Sequence, residues 1–263
     1  DQNLNLDDLR YHPACMPPRC GARVAFAGLI GFVLSVAAGC SPSPDELYSR
    51  GMADFKGGKT ESGTADLEAF VGKRCVGGEQ QPRCRHAQLT LAHTYEKQGA
   101  LAKAWAAYDQ ALTYPPHATD ATLAADRDRV RDGLASKQSD ETGRAPVIIR
   151  YRDEVTDDFT PKSVVISLDF APVATRDKGV SELRSPEFSK LYSGSVAAGD
   201  HVLVVDVAHT CAPSARKCAR SNLHRAWPFT SAARTPTQLE LRAYTEPEDG
   251  DTPAHPALEL ISR

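Results

Sequence analysis

A chain of 263 residues, 41% hydrophobic and 25% charged, has room for one or two small domains, and this composition excludes wholesale disorder. The formal net charge of −3 is spread over interleaved acids and bases, as in Asp126-Arg127-Asp128-Arg129 and Arg150-Tyr151-Arg152-Asp153-Glu154. That pattern describes a solvated mixed-charge surface and argues against a nucleic-acid partner, which selects a clustered basic patch.

The first element in chain order is a leader. Met16 is followed by a short cationic stretch, Pro17-Pro18-Arg19-Cys20-Gly21-Ala22-Arg23, and then by an apolar run from Val24 to Ala38. At 1.5 Å per residue the run makes about 22 Å of helix, short of a hydrocarbon core of about 30 Å. A cationic start, a short apolar stretch and small residues before a cut describe a secretory signal peptide. Met16 is the expected initiator, with residues 1–15 upstream of it; a genuinely long segment ahead of the apolar run is the alternative. The run closes Val36-Ala37-Ala38-Gly39-Cys40, which resembles the lipobox of bacterial lipoproteins, although Ala37 stands where that family usually has Leu.

The resemblance implies cleavage before Cys40, a thioether from its thiol to diacylglycerol, and anchoring by acyl chains such as palmitate. At about 0.8 kcal/mol per buried CH₂, two or three chains hold a protein on a membrane durably. The implied place is the cell envelope, on a membrane facing the periplasm, with the outer membrane favoured because Ser41 rather than Asp follows the cysteine. Residues 1–39 are then removed, and 40–45, with Ser41-Pro42-Ser43-Pro44, form a tether. An ordinary secretory cut beside a chance cysteine is the other reading.

Seven cysteines divide accordingly. Cys15 and Cys20 leave with the leader and Cys40 carries lipid. The remaining four form two local pairs, Cys75 with Cys84 and Cys211 with Cys218, which in an exported chain read as two disulfides. A metal reading with Cys75, Cys84 and His86 fits no zinc spacing, and no metal or cofactor is expected.

From residue 46 to residue 136 apolar residues recur at helical spacing, for a total of about five helices. Within the segment from Ala87 to Pro116, Leu91, Ala92, Tyr95, Gly99, Ala104, Tyr108, Ala111 and Pro116 resemble one tetratricopeptide repeat, with Gln88 at the usual Trp position. Leu91 and Tyr95 stack one turn apart, and Gly99 separates the two helices of the pair. The stretch from Leu47 to Val71, with Gly51, Phe55, Ala65 and Phe70, reads as a degenerate partner. Asp120 to Ala135 reads as a capping helix with Leu123, Val130 and Leu134 inward. In this family the first helix of each repeat lines a binding groove. The resemblance therefore implies His86, Leu89, His93 and Glu96, with Lys97, as partner-binding residues; an ordinary solvent face is the competing reading.

A polar stretch at 137–144 is the expected linker. From 145 to 263 the pattern changes to period two, with strands predicted at Val147–Arg150, Ser163–Phe170, His201–His209, Gln238–Tyr244 and Ala257–Ile261. The run from Tyr192 to Val207 resembles the hairpin of small envelope β-sandwich modules. Trp227 and Phe229 supply a bulky core or surface patch. The fold class predicted is α+β: tetratricopeptide-like helical hairpins followed by an antiparallel β-sandwich-like domain.

Motifs for catalysis are missing from this reading. Gly58-Lys59-Thr60 suggests a phosphate loop, but position 53 is Ala53 and no strand precedes it. His201 and His209 fall on one face of one strand about 27 Å apart, too far to share a metal. The function expected is a non-enzymatic, membrane-anchored scaffold that docks an envelope protein through the helical module. Two competitors stand beside it. One is a β-module that binds glycan or peptide, with Trp227 and Tyr192 as stacking platforms. The other is an enzyme whose site is assembled from distant loops.

Overall fold

The computed structural model describes residues 41–75, 81–114, 120–139, 141, 143–211, 222–246 and 255–262. Five helices come first: α1 (Pro44–Lys56), α2 (Thr60–Arg74), α3 (Gln81–Lys97), α4 (Leu101–Leu112) and α5 (Ala121–Ser139). The start of α1 is set by local chemistry. Ser43 Oγ accepts from the Glu46 amide and the Glu46 carboxylate accepts from the Ser43 amide, a reciprocal cap that satisfies two orphan donors ahead of Pro44. Gly99 ends α3 in the left-handed region at φ 70°. The residues read as inward from periodicity are buried, among them Leu91, Tyr95, Tyr108, Leu123, Val130 and Leu134. The α1–α2 crossing depends on two glycines. A Cβ on Gly51 would lie 2.9 Å from Leu67 Cδ2, and one on Gly63 would lie 3.0 Å from the Gly51 carbonyl oxygen.

Eight strands follow: β1 (Arg144–Glu154), β2 (Phe159–Leu168), β3 (Ala171–Arg176), β4 (Ser189–Ala197), β5 (Gly199–Cys211), β6 (Asn222–Ser231), β7 (Thr237–Glu246) and β8 (His255–Ser262). They form two four-stranded sheets, ordered β4-β1-β7-β8 and β3-β2-β5-β6. Alternate residues of both, such as Ile149, Tyr151, Leu239 and Leu241 from one and Ile166, Leu203 and Val205 from the other, fill a common core.

Three expectations are corrected here. The β-region is not wholly antiparallel, because β1 and β7 pair in parallel, Val147 beside Thr237 through Glu154 beside Tyr244. The stretch from Tyr192 to Val207 is not a hairpin: β4 pairs with β1 and β5 with β2, so the chain changes sheets at Ala198. Gly199, at φ 120°, permits that corner, and the Ala197 carbonyl holds it by meeting His201 Nε2 at 2.8 Å and accepting from Ser231 Oγ at 2.9 Å. Of the expected linker at 137–144, Lys137 to Ser139 belong to α5, and Gln138 donates to the Asp200 carbonyl at 2.9 Å.

Helices and sheets also share a packed boundary. On β5, His201 to Val205 are all buried. Val202 and Val204 turn toward the helices while Leu203 and Val205 turn toward the other sheet, so the strand reads as a continuous apolar run rather than an alternation. Asp169 and Phe170, at φ 46° and 72°, form the two-residue turn between β2 and β3. Phe170 holds this unfavourable conformation while its ring packs 4.7 Å from that of Trp105 on α4.

Candidate functional site

The residues singled out by the repeat resemblance lie along α3, at spacings of three and four that put His86, Leu89, His93 and Glu96 on one face. His86 is exposed, with Nδ1 2.8 Å from the Tyr48 hydroxyl of α1. Leu89 is half-buried against the helical core. His93 is exposed and meets Tyr108 of α4 edge-on, ring centroids 5.6 Å apart. Lys97 is exposed at the end of the helix.

Glu96 differs from its neighbours because it is already engaged. It accepts from the Tyr108 hydroxyl at 2.9 Å and from the Arg129 guanidinium of α5. The Arg129 bond, supported by Tyr108, holds this carboxyl below the usual carboxylate range. The sequence therefore brings together a stripe whose upper part is open and whose lower end is fixed to α4 and α5. Such a stripe offers an apolar centre with imidazole donors and acceptors on either side, which suits reversible contact.

Of the other sequence-derived positions, Cys75 and Cys84 are bridged, with Cα atoms 5.5 Å apart. Cys211 ends β5, while Cys218 and Cys40 lie outside the described residues. Tyr192, Trp227 and Phe229 are half-buried and pack against the core between the sheets.

Two features were not legible beforehand. One is a cleft of about 400 Å³ between α2, α3 and α4 on one side and β6 and β8 on the other, walled by Leu91, Tyr95, Ala106, Trp227 and Leu260. It lies on the face of α3 opposite the stripe, and none of the five stripe residues lines it. Tyr95 donates its hydroxyl to Glu68 there, and burial together with that carboxylate raises the phenol well above its ordinary value.

The second feature is His224 on β6. Its Nε2 lies 2.6 Å from Asp109 Oδ2 on α4, and its Nδ1 2.6 Å from Asp206 Oδ1 on β5. Both ring nitrogens can face carboxylates only if both carry protons. Burial works against that charge, but the two carboxylates outweigh it and push the pKa up to about 10. Arg127 also binds Asp109, at 3.1 Å. Neighbouring Arg225 donates to Gln110 Oε1 at 2.9 Å and to the Cys75 carbonyl at 3.1 Å. The only sequence signal for this cluster was the mixed charge already assigned to solvent. No protein-family model, curated protein or solved structure matches the chain.

Proposed function

We propose that this protein is a lipid-anchored envelope lipoprotein that acts as a non-enzymatic scaffold, with a tetratricopeptide-like helical module docked on a sandwich-like β-region. Its partner is an envelope protein held along α3 by His86, Leu89 and His93, with Lys97 at the rim. One observation carries this reading: His86 and His93 are exposed on either side of a half-buried Leu89, on a face that the β-region leaves uncovered. An apolar centre bounded by hydrogen-bonding groups is the usual anatomy of a contact surface.

The test is a photo-crosslinking amino acid placed at His93 in the full chain, in cells, with the same group at Lys59 as a control outside the stripe. The reading expects one discrete adduct from position 93, absent at position 59 and reduced by the added change Leu89→Ser. Equal labelling at both positions, or none at 93, rejects it.

A further inference from the structure

Gln88 lines the cleft of about 400 Å³, on the same face of α3 as Leu91 and Tyr95. It does not line the smaller cavity of about 340 Å³ beside it, at the C-terminal end of α4. Gln88 is 5% exposed, and neither end of its side-chain amide has a hydrogen-bond partner among the described residues. Neither amide atom is sealed off, so the little of this side chain that stays accessible includes both of them. Water can reach them; an occupant that displaces the water has to bring an acceptor and a donor of its own.

The walls narrow the class of occupant. Charged groups at the rim are already engaged. Glu68 lies 3.8 Å from Lys103 and Glu259 2.6 Å from Arg242, while Arg225 donates to Gln110 Oε1 and to the Cys75 carbonyl. A neutral occupant leaves these pairs intact. Leu91, Tyr95, Ala106 and Leu260 give an apolar wall, and the remaining side is backbone. Consecutive residues of β6, Arg225 to Pro228, and of β8, Leu258 to Leu260, line the cleft. Successive side chains of a strand point to opposite faces, so a consecutive run borders one space along the strand's edge. Both strands end their sheets: among the described residues β6 pairs with β5 alone and β8 with β7 alone. Such edges offer N–H and C=O groups to a further strand.

We propose that the cleft binds an uncharged, extended stretch of peptide, one residue of which gives its N–H and C=O to the Gln88 amide. The N–H and C=O of one extended residue point the same way, so a single side-chain amide meets both; those of the next residue point the other way, toward a strand edge. An apolar side chain of the stretch lies against Leu91 and Leu260. The site is separate from the α3 stripe and does not depend on it.

The experiment uses the full chain labelled with ¹⁵N-glutamine and three probes: acetyl-Ala-Leu-Ala amide, the same peptide with every backbone nitrogen methylated, and isovaleramide. The first is expected to bind saturably by calorimetry and to shift the Gln88 side-chain NH₂ signal, identified by its loss in Gln88→Met. The methylated peptide is expected to bind about tenfold more weakly, and isovaleramide more weakly still. Gln88→Met keeps the volume and removes an amide that has no partner in the fold. Its urea midpoint is therefore expected at or above that of the wild type, with peptide affinity down roughly tenfold. Should that variant fail to fold, the comparison of probes on the wild-type chain still decides. No saturable binding of acetyl-Ala-Leu-Ala amide, or undiminished affinity after methylation or in folded Gln88→Met, overturns the proposal. Isovaleramide binding as tightly as the peptide also overturns it, and assigns the cleft to small amides.

Discussion

His224 Nε2 lies 2.6 Å from Asp109 Oδ2, and this contact joins a β-strand to a helix 115 residues earlier in the chain. Asp206 closes the other side of the ring at 2.6 Å, so one imidazolium links α4, β5 and β6. The pairing makes the seam between helices and sheet dependent on protonation.

The sign of that dependence follows from the shift. The unfolded imidazole titrates near 6.5 and the folded one at about 10, so folding favours the protonated form. The contribution is complete below about pH 6.5 and is lost as pH rises toward 10. Urea unfolding of the wild type is expected to show a midpoint that falls between about pH 6 and about pH 10, relative to His224→Gln. Parallel curves for the two proteins would show that the seam does not depend on this proton.

Two glycines of α2 are expected to respond to alanine in opposite directions. At Gly63 a Cβ would meet Phe55 Cδ2 at 2.9 Å and the Gly51 carbonyl oxygen at 3.0 Å, so Gly63→Ala should destabilise by about 1–3 kcal/mol. Gly72 has nothing within 4 Å of such a carbon, and there alanine's better helix propensity should add about 0.5–1 kcal/mol. Chemical denaturation of the two variants gives the comparison. A stabilising Gly63→Ala would mean that α1 and α2 approach less closely than described.

The bridge joins Cys75 and Cys84, nine residues apart in the sequence and both buried in the helical core. Replacing both cysteines with serine is expected to cost about 2.5 kcal/mol in the chain-entropy account. A non-reducing digest of native protein should contain the linked peptide, and free thiols at both positions would remove the basis for that cost.

Anchoring is tested by intact mass. The native protein is expected to begin at Cys40, without Met16 to Gly39, and to carry added acyl mass. An unmodified Cys40, or a cut elsewhere, would end the lipoprotein reading while leaving the folded part as described.

How far the sequence could be read follows a physical division. The helices were legible because each repeats an apolar contact every three or four residues, and Leu91, Tyr95, Tyr108 and Val130 are buried where that repeat puts them. The five predicted strands each coincide with an observed one, although the one predicted to end at Phe170 stops at Leu168, where Asp169 and Phe170 turn the chain. The three strands not predicted, β3, β4 and β6, are all at sheet edges. An edge strand has one neighbour and a partly solvated face, so it needs no strict alternation and tolerates Pro228 and the polar residues around it.

The candidate sites divide in the same way. The α3 stripe was visible because a helix brings its own residues together at fixed spacing, and no other segment is needed to define it. The cleft and the cavity beside it were not visible, because Gln110 meets Arg225 only after α4 docks on β6. By itself the sequence determined the helices, the central strands and the close cysteine pair, all of which depend on neighbours in the chain. Only the tertiary structure decided the sheet change at Ala198, the parallel pairing of β1 with β7, and the seam of Asp109, His224 and Arg225. Each of these depends on which buried surfaces meet across long stretches of chain, and that information is not carried by local spacing.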